Sequence, residues 1–235
     1  MTVKQRCIAI FSHGSTPRLG ALQTALAKSN LSWKIIQLAK GDKAPTGTEA
    51  FDGVILMGGP MGVYERDEHA CLDVEMTWVE IMIKAGKPVF GICLGCQMLA
   101  HVHRGDVFVG DKGFCVGFRD LNMDHTDHTF GHELAGQKGF SWHGDTYTLG
   151  DGCDRLISGE YYHEQGVKFA DKVYGVQFHP EVTEEVISAW YMRDIQSDSL
   201  PVCAKPMHAC LDEAALHLAP VHNWLDKFIA RLFTE

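Results

Sequence analysis

The chain lacks any apolar run long enough to cross a bilayer as a helix. The best candidate, Val89 to Val102, is interrupted by Gln97 and His101. It is short of cations: 21 Lys and Arg stand against 30 Asp and Glu, a formal net charge of −9. A surface that acidic argues against nucleic acid or anionic lipid as a general partner, so no nucleic-acid and no membrane partner is expected. There is no phosphate loop, because Gly58-Gly59-Pro60 is too short and carries no lysine. Internal repeats, low-complexity tracts and long linkers are also missing. No export signal is read at the start, where Lys4 and Arg6 precede only the apolar stretch Cys7 to Phe11. The eight cysteines (7, 71, 93, 96, 115, 153, 203 and 210) are therefore expected to be reduced thiols of a cytoplasmic protein. None shows metal-ligand spacing, and neither a metal nor a cofactor is expected.

What is present is an ordinary globular composition. With 235 residues, 46% hydrophobic and 22% charged, the chain can bury a sizeable core. Arg6–Phe11, Trp33–Leu38, Gly53–Met57 and Pro88–Ile92 read as short strands. Leu19–Lys28, Leu72–Ala85 and Leu94 to about His103 read as helices between or after them. That alternation predicts an α/β fold with a mostly parallel central sheet and helices on both faces. After residue 104, short strands at Val107–Val109, Phe114–Phe118, Phe140–Trp142, Arg155–Ser158, Val167–Ala170 and Val173–Phe178 predict a small antiparallel or mixed sheet. A helix over Val182–Gln196, an irregular stretch Ser197–Pro206 and a helix Leu211–Leu232, broken at Pro220, complete the reading. The organisation expected is one α/β domain, 1–196, with a helical extension, 197–235, packed on it.

The run Gly91-Ile92-Cys93-Leu94-Gly95-Cys96-Gln97 puts a cysteine where an apolar strand turns into a helix. This is the pattern of a nucleophile elbow with sulfur in place of hydroxyl. Unpaired amides and the dipole at a helix start favour an anionic sulfur. Downstream, His179-Pro180-Glu181 ends a strand-like segment. In an extended chain, residues two apart share a face, so imidazole and carboxylate can lie together. Pro180 keeps the residue before it out of helix. An imidazole held by an acid is the base-and-orienter half of a triad, which Cys93 would complete. Upstream, Met57-Gly58-Gly59-Pro60-Met61-Gly62 can expose backbone amides at a strand end, facing an oxyanion together with the Leu94 amide.

Taken together, GICLGCQ (91–97), GGPMGVYE (58–65), SWHGD (141–145) and YGVQFHPEVT (174–183) resemble the class I (triad) glutamine amidotransferase family, in the family's order. The resemblance runs over roughly residues 5–190 and is nearest to a freestanding branch similar to the glutaminase domain of GMP synthase. It implies the flavodoxin-like fold of that family. It implies that Cys93 attacks the side-chain amide of glutamine, with His179 as base and acid and Glu181 as its partner. It implies an oxyanion hole from Gly59 and Leu94 and substrate contacts from Gln97, His143, Gly144 and Asp145. Ammonia would pass to a separate synthase subunit. Where relatives carry an acidic residue and a tryptophan, this chain has Cys115-Val116-Gly117-Phe118. A second expectation is therefore a γ-glutamyl peptide or amide hydrolase using the same triad. A third, from another class, is a catalytically idle binding module.

Blander readings compete at several positions. Cys93-Leu94-Gly95-Cys96 has the spacing of a redox pair, which leaves the flanking glycines and the downstream His-Pro-Glu unexplained. His125, His128 and their acidic neighbours could chelate a metal, and a solvated polar loop is the preferred alternative. Gln97 could merely satisfy backbone groups, and Asp145 could be a turn-former.

Overall fold

The computed structural model describes residues 5–14, 18–195, 200–201 and 203–235. The elements are β1 (Cys7–Phe11), α1 (Ala21–Lys28), β2 (Ser32–Ile36), β3 (Gly53–Leu56), α2 (Cys71–Lys84), β4 (Val89–Ile92) and α3 (Leu94–Val102). After them come β5 (Val107–Val109), β6 (Cys115–Asp120), β7 (Asn122–Met123), β8 (Lys138–His143), β9 (Asp145–Tyr147) and β10 (Asp154–Ser158). The last are β11 (Glu164–Ala170), β12 (Val173–Val176), α4 (Glu184–Asp194) and α5 (Met207–Thr234).

Among the described residues, eight strands form the main sheet, in the order β2-β1-β3-β4-β12-β11-β10-β7. From β2 to β12 every neighbouring pair is parallel. From β12 to β7 the pairs are antiparallel. Two small antiparallel pairs, β5 with β9 and β6 with β8, stand apart. The α/β architecture expected from the strand and helix alternation is thus the one observed.

Strand residues alternate between two cores, as the period of two demands. Ile8, Ile10, Ile55, Phe90, Ile92, Tyr174 and Val176 face α1 and α5. Ala9, Phe11, Val54, Leu56, Val89 and Val173 face α2 and α3. Both faces are covered, which is why these strands carry continuous apolar runs. A third cluster joins Val116, Phe118, Phe140 and Trp142 to Val186, Ile187 and Tyr191 of α4 and to Cys210 and Ala214 of α5.

Three expectations change. First, α5 runs from Met207 through Pro220 to Thr234 without a break. The carbonyl of Leu216, which Pro220 cannot satisfy, lies on a residue 70% exposed to water. The buried face Val221, Trp224, Leu225, Phe228, Ile229 and Leu232 keeps the helix continuous through the site. Second, Cys115 and Cys203 form a disulfide, so these two are not the free thiols expected. The segment after Cys203 runs beside β6: Val116 donates to the Cys203 carbonyl at 3.1 Å and Lys205 to the Val116 carbonyl at 3.0 Å. A contact between residues 88 apart leaves no trace in local spacing. Third, β7 and β9 were not anticipated, being too short to show a period. The boundary drawn at 196/197, most of the stretch expected to be irregular, and Gln196 fall on residues outside those described.

The His125–Glu133 stretch ties structure together. Asp127 accepts from the Phe130 amide, from Lys168 and from the Tyr174 hydroxyl at 2.8 to 2.9 Å, and Glu133 pairs with Arg231. Among the described residues no helix is long and apolar enough to cross a membrane.

Phe228 is fully buried against Phe90, Phe130, Tyr174 and Trp224, with ring centroids 4.8 to 5.7 Å apart. Phe228→Ala is expected to lower unfolding free energy by about 3–5 kcal/mol, read from the midpoint and slope of urea unfolding.

Candidate active site

The pairing of β4 with β12 builds the site. Gly91 lies opposite Gly175 and Ile92 opposite Val176, and the Cys93 amide donates to the Val176 carbonyl at 2.8 Å. The chain then leaves both strands at the same edge, the carboxyl end of a parallel sheet, where open α/β folds gather their sites. Cys93 sits at the corner with φ 52° and ψ −108°, a backbone state that non-glycine residues seldom adopt. The turn is held by the Val176 bond and by the first helical bond, Gln97 amide to Cys93 carbonyl at 3.0 Å. Its tightness requires glycine at 95, where a Cβ would fall 2.2 Å from the Leu56 carbonyl oxygen.

His179 and Glu181 follow β12. The His179 amide is fixed by the Phe140 carbonyl at 2.8 Å, and the Glu181 carbonyl accepts from the Ala21 amide at 2.9 Å. The side chains meet at 2.8 Å, His179 Nδ1 to Glu181 Oε1. The ring stands beside Cys93: a Cβ built on Gly58 would fall 2.9 Å from His179 Cε1 and 3.5 Å from Cys93 Cβ. Cys93, His179 and Glu181 are 6%, 4% and 3% exposed. Trp190 of α4 stands edge-on to the imidazole, centroids 4.8 Å apart.

Burial alone would drive the proton off His179. The Glu181 charge, the Cys93 charge and the hydrogen bonds to both outweigh it and lift the ring to about 10. His179 is thus pushed toward its protonated form, with Glu181 the leading favourable cause.

The group opens into a cavity of about 960 Å³. Cys93, Gln97, Gly59, His143, Gly144, Asp145, His179 and Glu181 all line it. Leu94 is buried beneath, as the first residue of α3, where an amide has no partner within the helix. His143 is held well below its ordinary range, at about 4, first by burial and then by the nearby positive His179 ring. A backbone bond opposes this shift: His143 Nδ1 donates to the Asp145 carbonyl at 2.9 Å. His143 is therefore neutral, with its second nitrogen free to accept. The Asp145 carboxyl is raised by burial; the Tyr64 hydroxyl, at 3.3 Å, pulls it back, and the charge of Glu65 adds to the rise. Gln97 donates to Gln177 Oε1 at 3.2 Å and to the Asp145 carbonyl at 3.4 Å. It thus satisfies the fold's own polar groups while bordering the cavity.

The sequence reading missed the cavity's outer wall. Arg18, Tyr64, Phe114, Trp142, Trp190 and Arg193 line it without having been assigned to it. Trp190 was findable: it falls at helical spacing with Val186, Ile187 and Tyr191, the face that α4 turns inward. Missed as well was a buried pair under the Gly58-Gly59-Pro60 turn, His13 with Glu75 at 2.7 Å.

The chain is an α/β protein that gathers a thiol, an imidazole and a carboxylate at the carboxyl edge of a parallel sheet. The sequence model of the class-I glutamine amidotransferases matches residues 19–195, and the chain belongs to that family. It is 32% identical over 142 residues to the glutamine-hydrolysing GMP synthase of Spiroplasma kunkelii, covering 60% of this chain and 26% of that protein. Over 225 residues it is 30% identical to the GMP synthase of Candida albicans, covering 94% of this chain and 37% of that protein. A Natronomonas pharaonis protein, named as one subunit of a glutamine-hydrolysing GMP synthase, is 32% identical over 151 residues, covering 62% of this chain and 74% of that protein. The chain thus spans about a quarter of the length of the first curated relatives it matches. Among solved structures, a Thermotoga maritima glutamine amidotransferase superposes with a TM-score of 0.89 at 27% identity, covering 99% of this chain and 100% of that one.

His179's proton is held to a pH near 10, so its stabilising contribution is complete below the ordinary histidine value of about 6.5 and is lost as pH rises through about 10. Glu181→Gln removes the leading favourable charge. The His179 titration followed by NMR is expected to move to lower pH in that variant.

Proposed function

We propose that the chain hydrolyses the side-chain amide of glutamine through a γ-glutamyl thioester on Cys93 and releases ammonia. One observation carries the reading: Cys93, at a positive-φ corner, and His179, whose Nδ1 lies 2.8 Å from Glu181, converge on Gly58, where an added Cβ would fall 2.9 Å from the His179 ring and 3.5 Å from Cys93 Cβ. Family membership and glutamine-hydrolysing relatives support it. The thiolate attacks the amide carbon. The negative oxygen that develops is met by the amides of Gly59 and Leu94. The carbon–nitrogen bond breaks as His179 passes its proton to the leaving nitrogen. A water molecule, giving its proton to His179, then attacks the thioester, and glutamate leaves as the sulfur is freed. Glu181 holds the ring in place and stabilises its charged form.

Substrate contacts are assigned to Gln97, His143, Gly144 and Asp145. The half-buried carboxylate of Asp145 is the partner for the substrate ammonium. His143 steadies it through the Asp145 carbonyl. The ammonia is passed to a separate synthase subunit; the relative that is itself named as one subunit of a synthase supports this.

A second reading is favoured by the cavity. At about 960 Å³, walled by Phe114, Trp142 and Trp190 with Arg18 and Arg193, it has the room of a site for a much larger molecule than one amino acid. The same triad would then release a bulkier amine or peptide from a γ-glutamyl group.

Intact protein incubated with glutamine and with γ-glutamyl amides and peptides is expected to show a γ-glutamyl mass increment on Cys93. Cys93→Ala is expected to lose the adduct and at least about a thousandfold in turnover. The donor with the highest kcat/KM decides between the two readings. No adduct from any donor defeats both.

A further inference from the structure

A buried polar pair lies behind the candidate oxyanion turn, and nothing in the triad requires it. β1 and β3 are parallel with Phe11 opposite Leu56, and the Met57 amide donates to the Phe11 carbonyl at 3.0 Å. The segments 12–14 and 57–59 therefore leave the sheet side by side. Ser12 and Gly14 border the cavity, while His13 between them turns away from it. Its Nε2 meets Glu75 Oε2 of α2 at 2.7 Å, and both side chains are 1% exposed. Around them is an apolar core that includes Phe11, Leu56, Met61, Leu72, Met76 and Leu94.

Gly59 lies against one member of this pair, His13. A Cβ built there would fall 2.6 Å from His13 Cβ, 3.1 Å from His13 Cγ and 2.8 Å from Leu94 Cδ2. The residue assigned one oxyanion amide is thus pressed between the His13 side chain and the residue that carries the other. Among the described residues His13 Nδ1 has no hydrogen-bond partner, so Glu75 is what orients the ring. Apolar side chains could fill this space at less cost, because a buried polar pair repays its desolvation only in good geometry. What the pair adds is direction: the ring's one hydrogen bond, to Glu75, is made in one ring orientation and hence for one placement of the turn.

We propose that His13 and Glu75 are positioning residues that fix the Gly59 amide for oxyanion stabilisation. This rests on the reading of Cys93 as the nucleophile of an amide hydrolase. Neither residue touches substrate; both act through the turn.

Two reactions at the same sulfur separate this role from general support. Hydrolysis of a γ-glutamyl donor passes through an oxyanion, whereas alkylation of Cys93 by iodoacetamide needs only the thiolate. The variants His13→Leu and Glu75→Leu are expected to lose about ten- to a hundredfold in kcat, part of the loss typical of removing an oxyanion donor. Their KM is expected to stay within about threefold of wild type and their alkylation rate within about twofold. Glu75→Gln, which can still bond the ring, is expected to keep kcat within about threefold. His13→Asn, polar but too short to reach Glu75, is expected to behave as His13→Leu and decides the matter if the leucine variants do not fold. Unchanged kcat in His13→Asn, or alkylation falling in step with hydrolysis, overturns the proposal while the hydrolase reading stands. A wild type that alkylates yet turns over no γ-glutamyl donor defeats the hydrolase reading, and this inference with it.

Discussion

The hydrogen-bonded join between β4 and β12 is the constraint on which the site depends. It is a parallel pair made by strands far apart in the chain, and it continues one residue past the strand end through the Cys93 amide and the Val176 carbonyl. Because the register is fixed, the residue that turns the corner out of β4 is level with Gln177, and His179 follows two residues on. A slip by one residue would send the imidazole to the opposite face. Both cores act against such a slip, since Phe90 and Ile92 belong to one face and Val89 to the other. The geometry of three polar groups is thus enforced by apolar packing on two sides of a sheet.

Electrostatics at the site follow from that enclosure. His143 and His179 are both buried and share one cavity, yet they sit on opposite sides of neutrality, at about 4 and about 10. The difference lies in the partners. His179 has a carboxylate at Nδ1 and the charge of Cys93 nearby, whereas His143 has a neutral carbonyl and a positive neighbour. Each charge state reinforces the other: the positive ring of His179 discourages a second positive ring, leaving His143 an acceptor. A division of labour between two like residues is set by surroundings rather than by residue type.

Much of this was legible in the sequence because it was written locally. The corner declares itself by Gly91 and Gly95 around Cys93, and the meeting of His179 with Glu181 by a His-Pro-Glu tripeptide whose spacing puts two side chains on one face. The central strands are announced by short apolar runs such as Gly53–Leu56 and Val89–Ile92. What could not be read is what depends on distant partners. Nothing near Cys115 signals Cys203, and nothing near His13 signals Glu75. Pro220 predicts a break by its own chemistry, and is overruled by Trp224, Phe228 and the residues they touch. The outer cavity wall is drawn from α4, β8 and loops that converge only in three dimensions.

The long final helix has a bearing on how the molecule comes into being. Val221, Trp224, Leu225, Phe228, Ile229, Leu232 and Phe233 supply much of the lining of the core that holds Ile8 and Ile10 of the opening strand. Arg6 reaches across to the carbonyl of Phe233, and the first helix packs along the last. During synthesis the strands emerge first, with one side of the sheet bare to solvent until residues beyond 206 leave the ribosome. The corner bearing Cys93 is translated early yet cannot be held in its strained state by a finished sheet. Completion of the corner around Cys93 therefore waits on residues beyond 206.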